Sequence, residues 1–161
     1  MVEKCTQITL KRVNRQKITT KGMNKTMFVH NYYHSLDAKN RLFMPVRFRD
    51  QLGERIYILP GPDASLFVYS EQQFNIIAEQ YREKNRDLNK QMAFFSSVCE
   101  TTADNQGRVT LNADHVKHAE LKKEVAVIGA GKRVVIMPLE KFKIAEADTS
   151  NAIDNSTDID W

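Results

Sequence analysis

The sequence has no long apolar run: no stretch of its 161 residues approaches the roughly 18 consecutive apolar residues that a membrane-spanning helix requires. Its N-terminal region also lacks the apolar segment followed by small residues that marks a secretory signal. There are only two cysteines, Cys5 and Cys99, and they lie far apart in different sequence contexts. A disulfide is therefore not expected, and the composition predicts a soluble, cytoplasmic protein in a reducing compartment.

Patterns typical of enzymes and cofactor sites are also missing from the sequence. Cys99, His115 and His118 could be drawn together as metal ligands, but a fourth ligand and Cys-x-x-Cys pairs are lacking. Gly129 and Gly131 lie in a predicted hairpin turn, without the third glycine and following helix of a dinucleotide site. No nucleophile is paired with a neighbouring base. We therefore expect no catalysis, no cofactor, no metal and no small-molecule substrate.

The net charge of +4 is unevenly distributed along the chain. Residues 1–26 carry seven basic side chains against the single acid Glu3, whereas residues 144–161 carry five acids and no base. A local positive cluster is better evidence for a polyanionic partner than the overall charge. Four basic residues, with no acid between them, form such a cluster: Lys39, Arg41, Arg47 and Arg49.

Both ends of the chain differ in composition from the middle. Residues 1–26 are interpreted either as a start-site artefact, with the true start at Met23 or Met27, or as a disordered basic arm for DNA; the artefact is favoured. Residues 144–161 are acidic, rich in Asn, Ser and Thr, and poor in apolar side chains before Trp161. This composition predicts a disordered tail.

The middle of the chain contains an internal repeat, from His34 to Phe74 and from Thr101 to Phe142. Asp37 and Arg41 in the first copy correspond to Asp104 and Arg108 in the second. The second copy then has one extra residue. Beyond it, Gly61 matches Gly129 at the hairpin turn, three apolar strand positions match, and Phe74 matches Phe142. Agreement in so many classes of residue predicts two copies of one structural unit.

Each copy has the same pattern of predicted elements: a polar turn, a short strand, a helical turn and a hairpin. The short strands are Arg41 to Met44 and Arg108 to Leu111. The hairpins are built from β-branched and aromatic runs: Tyr57 to Leu59 with Leu66 to Tyr69, and Val125 to Ile128 with Val134 to Met137. Such short strands cannot each bury a core, so the two copies are expected to pack against each other.

Residues 75–97 are predicted to form two linking helices, the first of which opens at Ser70 at the end of the first copy. Ser70 and Gln73 match a capping box, and Phe74, Ile77 and Tyr81 follow at helical spacing. A second helix is predicted from Asp87, with an apolar face formed by Leu88, Met92 and Phe95.

These features resemble the MraZ family. The similarity rests on the Asp-x-x-x-Arg motif in both copies, on Tyr33-His34-Ser35-Leu36-Asp37, and on Leu-Gly-Glu before the first hairpin. The resemblance implies a mixed α+β, mainly β fold: an AbrB-like swapped-hairpin barrel formed by two tandem half-domains, residues 31–74 and 98–143. It also implies homo-oligomeric rings, association with the nucleoid, and binding of double-stranded DNA at tandem G-rich repeats upstream of the division and cell-wall gene cluster.

The sequence departs from the family pattern at two turns. Asn40 stands in place of the glycine that usually precedes the motif arginine, and the turn is expected to survive because asparagine also accepts positive φ. Asn112 stands where the second copy usually has a proline matching Pro45. This second change leaves the rigidity of the turn after the strand open.

The candidate site residues divide into structural and DNA-binding groups. Asp37 and Asp104 are interpreted as turn residues, because a carboxylate repels phosphate and accepts backbone N–H groups. Arg41 is assigned to DNA, since its planar fork suits guanine or phosphate. Lys39, Arg47 and Arg49 are predicted to add phosphate contacts, and Arg108 is a DNA ligand or a turn residue with equal weight.

Two functions from different classes remain after these exclusions. The leading hypothesis is a sequence-specific DNA-binding transcriptional regulator. The alternative is an AbrB-like antitoxin or protein-interaction module, which the two complete half-domains make less favourable and the acidic tail keeps open. A hydrolase that uses the Asp and Arg motifs is remote.

Overall fold

The computed structural model describes residues 27–153, with side chains to residue 150. Eight strands and five helices form in these residues. The strands are β1 (Asn31–Ser35), β2 (Arg41–Phe43), β3 (Ile56–Gly61), β4 (Ser65–Ser70), β5 (Cys99–Thr101), β6 (Arg108–Thr110), β7 (Glu124–Ala130) and β8 (Arg133–Pro138). The helices are α1 (Val46–Leu52), α2 (Glu71–Lys84), α3 (Leu88–Ser96), α4 (Ala113–His118) and α5 (Leu139–Ile153).

Six of the strands form one antiparallel sheet in the order β1-β7-β8-β4-β3-β5. The order shows that the two repeats exchange their first strands. β1 of the first repeat pairs with β7 of the second, and β5 of the second repeat pairs with β3 of the first. Interchanging the repeats reverses the strand order, so the sheet has an approximate two-fold relation between its halves. Neither half is an independent domain.

β2 and β6 form a separate antiparallel ribbon, which contains one strand from each repeat. Leu42 lies directly opposite Val109 in this pairing, and both side chains are fully buried. Two further hydrogen bonds extend the ribbon at its ends: Met44 N–H donates to the Gly107 carbonyl over 2.9 Å, and Leu111 N–H donates to the Asn40 carbonyl over 2.8 Å. The buried inner face, which contains Leu42 and Val109, fixes the ribbon to the core.

The main core lies between the ribbon, α1 and the large sheet. Both repeats contribute to it through alternate strand positions, whose side chains share one face of the sheet. Its largest fully buried side chains include Phe48 of α1, Ile58 and Leu66 of the first hairpin, and Val127 and Ile136 of the second. Because each repeat supplies part of one continuous core, the predicted packing of the two copies against each other is present.

A smaller cluster lies under the linking helices. Phe74 of α2 stacks on Tyr57 with ring centroids 4.3 Å apart. The predicted cap of α2 is formed, since the Ser70 hydroxyl accepts the Gln73 backbone N–H over 3.3 Å. Likewise, Asp87 caps α3 by accepting the Asn89 N–H over 2.8 Å.

The apolar face predicted for α3 is not buried. Leu88, Met92 and Phe95 are 67%, 53% and 38% exposed. The aromatic contact is instead made by Phe94, whose ring stacks on Tyr81 at 4.0 Å. Helical spacing identified the stripe, but it carried no information about whether another element covers it.

Two expectations about the fold are corrected. The described strands form an open sheet and a ribbon, with no closed barrel, because β1 and β5 occupy opposite edges. The tail expected to be disordered from residue 144 is helical up to Ile153, since Ala145, Ala147 and Glu146 favour helix and no Gly or Pro interrupts them. The predictions for residues 1–26 and for residues 154–161 fall outside the described part of the chain.

Candidate nucleic-acid interface

The turn before β2 is organised by the carboxylate of Asp37. Its Oδ1 accepts the backbone N–H groups of Lys39 and Arg41 over 2.9 and 2.8 Å, and its Oδ2 accepts Arg41 Nε over 2.6 Å. The Asn40 N–H closes the turn by donating to the Asp37 carbonyl over 3.0 Å. One side chain therefore fixes the backbone of the turn and also the orientation of the arginine.

The turn before β6 repeats this geometry. Asp104 Oδ1 accepts the N–H groups of Gln106 and Arg108 over 2.9 and 2.8 Å, and Oδ2 accepts Arg108 Nε over 2.9 Å. In both turns the arginine bonds the carboxylate through Nε. Within the described residues neither arginine donates a hydrogen bond from its terminal Nη atoms, which are the ends of the fork that recognise guanine or phosphate.

The hydrogen bonds also shift the acidity of the two carboxyl groups. The backbone N–H of Arg41 is the main cause that lowers the pKa of Asp37 below its ordinary value of 3.8, and Arg108 does the same for Asp104. A lowered folded-state pKa stabilises the fold above the unfolded-state pKa, and this contribution disappears as the pH falls through the folded value. Both turns should thus be most stable above about pH 4.

Asp37→Asn combined with Asp104→Asn is expected to lower the melting temperature at neutral pH. It should also make the melting temperature change less as the pH falls into the acid range. The ionic hydrogen bonds are lost, while the asparagine oxygen still accepts an N–H group. Melting curves recorded from about pH 6 to about pH 2 test this, because the wild type should lose more stability than the double variant below about pH 4. Parallel curves for the two proteins would contradict the assigned role of these carboxylates.

The last residue of each turn has positive φ. Asn40 adopts φ +58°, so the turn survives without the usual glycine, and Gly107 adopts φ +79°. A Cβ atom on Gly107 would lie 2.6 Å from Arg49 Cζ, because the guanidinium of α1 crosses directly over this turn. Glycine is favoured at position 107 by its positive φ, and a side chain there would also push the Arg49 guanidinium aside.

Gly107→Ala should therefore destabilise the protein by about 1–2 kcal/mol from backbone strain, and also displace Arg49. Asn40→Gly is the matched control, since it relieves positive φ at the equivalent position and should stay within about 1 kcal/mol of the wild type. Urea unfolding of both variants measures the difference. Equal stabilities would contradict the requirement for glycine at the positive φ of position 107.

The ribbon brings both motif arginines to one surface. Arg41 pairs with Thr110 and Phe43 pairs with Arg108 across β2 and β6. Side chains alternate along a strand, so these four share the face opposite to the buried Leu42 and Val109. We call this surface the outer face: Arg41, Phe43, Arg108 and Thr110. The Arg41 and Arg108 side chains are 30% and 29% exposed, so both reach solvent from an ordered base.

The other predicted basic residues do not stay together. Lys39 is exposed on the first turn, and Arg47 is exposed on α1. Arg49 crosses to the second turn, where its Nε donates to the Met44 carbonyl over 2.9 Å and its Cζ lies 5.6 Å from the Phe43 ring centroid. The cluster that is continuous in sequence is thus spread over both ends of the ribbon.

The helical turns after β2 and β6 are capped differently. Pro45 precedes α1 without a side-chain hydrogen bond, whereas Asn112 Oδ1 accepts the His115 N–H over 2.7 Å at the start of α4. Asparagine is a favourable N-cap, so the missing proline is replaced by a different constraint.

The sequence interpretation missed Phe43 and Thr110. Phe43 is 36% exposed although it is aromatic, and on the outer face it lies opposite Arg108 and two positions from Arg41. The signal was available as alternation, because Phe43 is two positions from Arg41 on a predicted strand. Thr110 carries the same signal two positions after Arg108, but the register between β2 and β6 was needed to place all four side chains on one face.

The residues considered as metal ligands make internal hydrogen bonds. His115 is 2% exposed, and its Nε2 lies 2.7 Å from the Ser97 carbonyl. His118 Nε2 lies 2.8 Å from the Gly61 carbonyl. Among the described residues, no three His, Cys, Asp or Glu side chains are grouped to hold a metal ion.

Comparison with known proteins shows the same two-part organisation. The family model for the MraZ protein, whose description also calls it antitoxin-like, matches residues 27–96 and 94–159. No helix in the described range is both long and apolar enough to span a membrane.

Three similar proteins are each named transcriptional regulator MraZ. The Finegoldia magna protein is 35% identical over 136 residues, covering 82% of this chain and 95% of that protein. The Alkaliphilus metalliredigens protein is 36% identical, covering 80% and 92%. The Heliobacterium modesticaldum protein is 39% identical, covering 72% and 84%. With both repeats matched and with relatives aligned over most of their length, this chain belongs to the MraZ family.

Proposed function

We propose that this protein is a sequence-specific DNA-binding transcriptional regulator that contacts DNA through the outer face. The observation that carries the proposal is the convergence of Arg41 and Arg108 on one surface of a two-stranded ribbon. The major groove of B-DNA is about 12 Å wide and admits such a ribbon. Ribbon-type regulators present side chains to base edges in this way.

The electrostatics of the surface support the same function. Asp37 and Asp104 are each engaged by backbone N–H groups and by the arginine Nε, so their negative charge is partly compensated inside the turns. Lys39 and Arg47 are exposed beside the ribbon and suit phosphate contacts, which position a protein on the duplex. Arg49 is assigned a supporting role, because its guanidinium packs against the Phe43 ring and over the turn at Gly107.

The names of the similar proteins support regulation of transcription as the purpose of this binding. The proposed operator is a set of short tandem G-rich repeats upstream of the division and cell-wall gene cluster. Guanine presents N7 and O6 to the major groove, which are the acceptors that arginine recognises with both ends of its fork. The proposal places the protein with the chromosomal DNA in the cytoplasm.

We further propose that the protein acts as a homo-oligomer, such as a ring. One outer face covers only a few base pairs, whereas several faces held together gain affinity for tandem repeats through effective concentration. The exposed stripe of Leu88, Met92 and Phe95 supports association, because contiguous exposed apolar surface marks interaction sites. Light scattering at micromolar concentration, with and without DNA, tests the oligomer, and a monomer in both samples would refute it.

A protein-interaction module of the antitoxin type is the second candidate. The family description and the same exposed stripe on α3 favour it. It predicts a tight protein partner and no preference among DNA sequences.

A gel-shift titration separates the two functions. The probe is the DNA upstream of the chain's own gene, compared with scrambled DNA of the same length at several salt concentrations. The regulator should prefer the upstream probe, and its affinity should fall with salt because phosphate contacts release counterions. Equal affinity for both probes would refute the sequence-specific function and leave the interaction module.

The domain limits are tested by a truncated chain that contains residues 27–142. All eight strands and both motif turns lie within these limits, so we expect it to fold and to retain specific binding. An unfolded product, or a folded product without specific binding, would show that the limits are wrong.

A further inference from the structure

The outer face is symmetric in its arginines but asymmetric in its other two side chains. Under the approximate two-fold relation between the repeats, Arg41 is equivalent to Arg108. Phe43 is equivalent to Thr110. A ribbon with identical side chains at both pairs of positions would recognise a palindromic site equally well in two directions. Phenylalanine in the first repeat and threonine in the second remove that equivalence.

Phe43 is held in place more firmly than an ordinary exposed phenylalanine. The Arg49 guanidinium carbon lies 5.6 Å from its ring centroid, and Arg49 is itself anchored by the 2.9 Å hydrogen bond from Nε to the Met44 carbonyl. The His34 ring packs against it with centroids 5.2 Å apart. Phe43 as a whole residue remains 36% exposed between these supports, so an apolar surface is presented with little rotamer freedom to lose on binding.

We propose that Phe43 contacts the C5-methyl group of one thymine in the major groove and thereby fixes the direction in which the ribbon lies on DNA. This inference rests on the proposed function and adds to it the residue that breaks its symmetry. Thymine is the only base that presents a methyl group in the major groove. The polar edges of the other bases lose hydrogen bonds to water when a phenyl ring covers them.

Selection from a random duplex library tests the proposal with three full-length proteins: the wild type, Phe43→Thr and Thr110→Phe. Phe43→Thr copies the second repeat at this position and makes the outer face symmetric. We expect the wild type to select a directional motif containing one preferred thymine. Phe43→Thr should lose that preference and select a more palindromic motif, and Thr110→Phe should add a thymine preference at the symmetry-related position.

A second measurement isolates the methyl group. In the motif that the wild type selects, the preferred thymine is replaced by deoxyuridine, which removes the C5-methyl group and leaves base pairing unchanged. Wild-type affinity should fall about fourfold, the effect of about one buried methyl-sized group. Affinity of Phe43→Thr should fall less than that of the wild type, because the threonine methyl group covers much less apolar surface than the phenyl ring.

The possible outcomes separate the inference from the function on which it rests. If the wild type selects no motif, sequence-specific binding fails and the role of Phe43 fails with it. If the wild type and Phe43→Thr select the same motif and respond equally to deoxyuridine, the function stands and the inference is refuted. Thermal melts establish that each variant is folded. Thr110→Phe tests the idea independently, because it gains a contact while the native Phe43 remains in place.

Discussion

Arg41→Ala is expected to abolish specific DNA binding and to leave the melting temperature within about 4 °C of the wild type. The pair with Asp37 is partly solvent-exposed, and pairs of this kind contribute little to stability. Loss of one bidentate base contact weakens binding about 5- to 150-fold. In an oligomer that engages several repeats, the loss occurs at every protomer, so the combined effect is larger.

Two further variants define what Arg41 recognises. Arg41→Lys should restore little affinity if the guanidinium fork reads guanine, and much more if it only neutralises phosphate. Arg108→Ala tests the second motif. Arg108 occupies the position on the outer face that is equivalent to Arg41, so its loss should weaken binding similarly. Fluorescence anisotropy on operator and scrambled DNA, beside thermal melts, gives both readouts. If Arg41→Ala melts the protein while the remaining folded fraction binds operator normally, Arg41 is structural.

Leu42→Ala, unlike Arg41→Ala, is expected to act mainly on stability. It should lower the free energy of unfolding by about 2–5 kcal/mol. Leu42 is adjacent to Arg41 on the same strand, but it faces inward, is fully buried and lies opposite Val109. The substitution leaves a cavity where the ribbon joins the core, and a small domain has only about 5–15 kcal/mol of total stability.

Urea unfolding of Leu42→Ala and Arg41→Ala compares the two faces of one strand directly. DNA affinity of Leu42→Ala, measured under conditions where it is still folded, should remain closer to the wild type than that of Arg41→Ala. A stability loss below about 1 kcal/mol would contradict the tight packing of the ribbon's inner face.

The local structure of the site could be predicted from the sequence, because its causes are local. The repeat of Asp37 and Arg41 at Asp104 and Arg108 identified both turns, and the β-branched runs identified the hairpins. Positive φ at Asn40 followed from the known tolerance of asparagine. Each of these features depends on residues within about five positions of one another.

The long-range arrangement could not be predicted from residue patterns alone. Nothing in the composition of β1 indicates that it pairs with β7 of the other repeat, since many registers would bury its side chains equally well. The pairing of β2 with β6 brings the start of α1 beside the second turn, so Arg49 reaches Gly107 and the basic cluster is divided. The outer face, with Phe43 opposite Arg108, exists only because β2 and β6 meet in one particular register.

Thiol footprinting at the outer face tests the central claim that this surface contacts DNA. Thr110→Cys is compared with Glu79→Cys on the exposed side of α2, both in a Cys5→Ser, Cys99→Ser background. Alkylation of each thiol is followed in the free protein and in the complex with the upstream DNA. The thiol at position 110 should be protected by specific DNA and not by scrambled DNA, while the thiol at position 79 reacts equally in all samples. Unchanged reactivity at position 110 in a saturated, specific complex would show that the protein binds DNA through another surface.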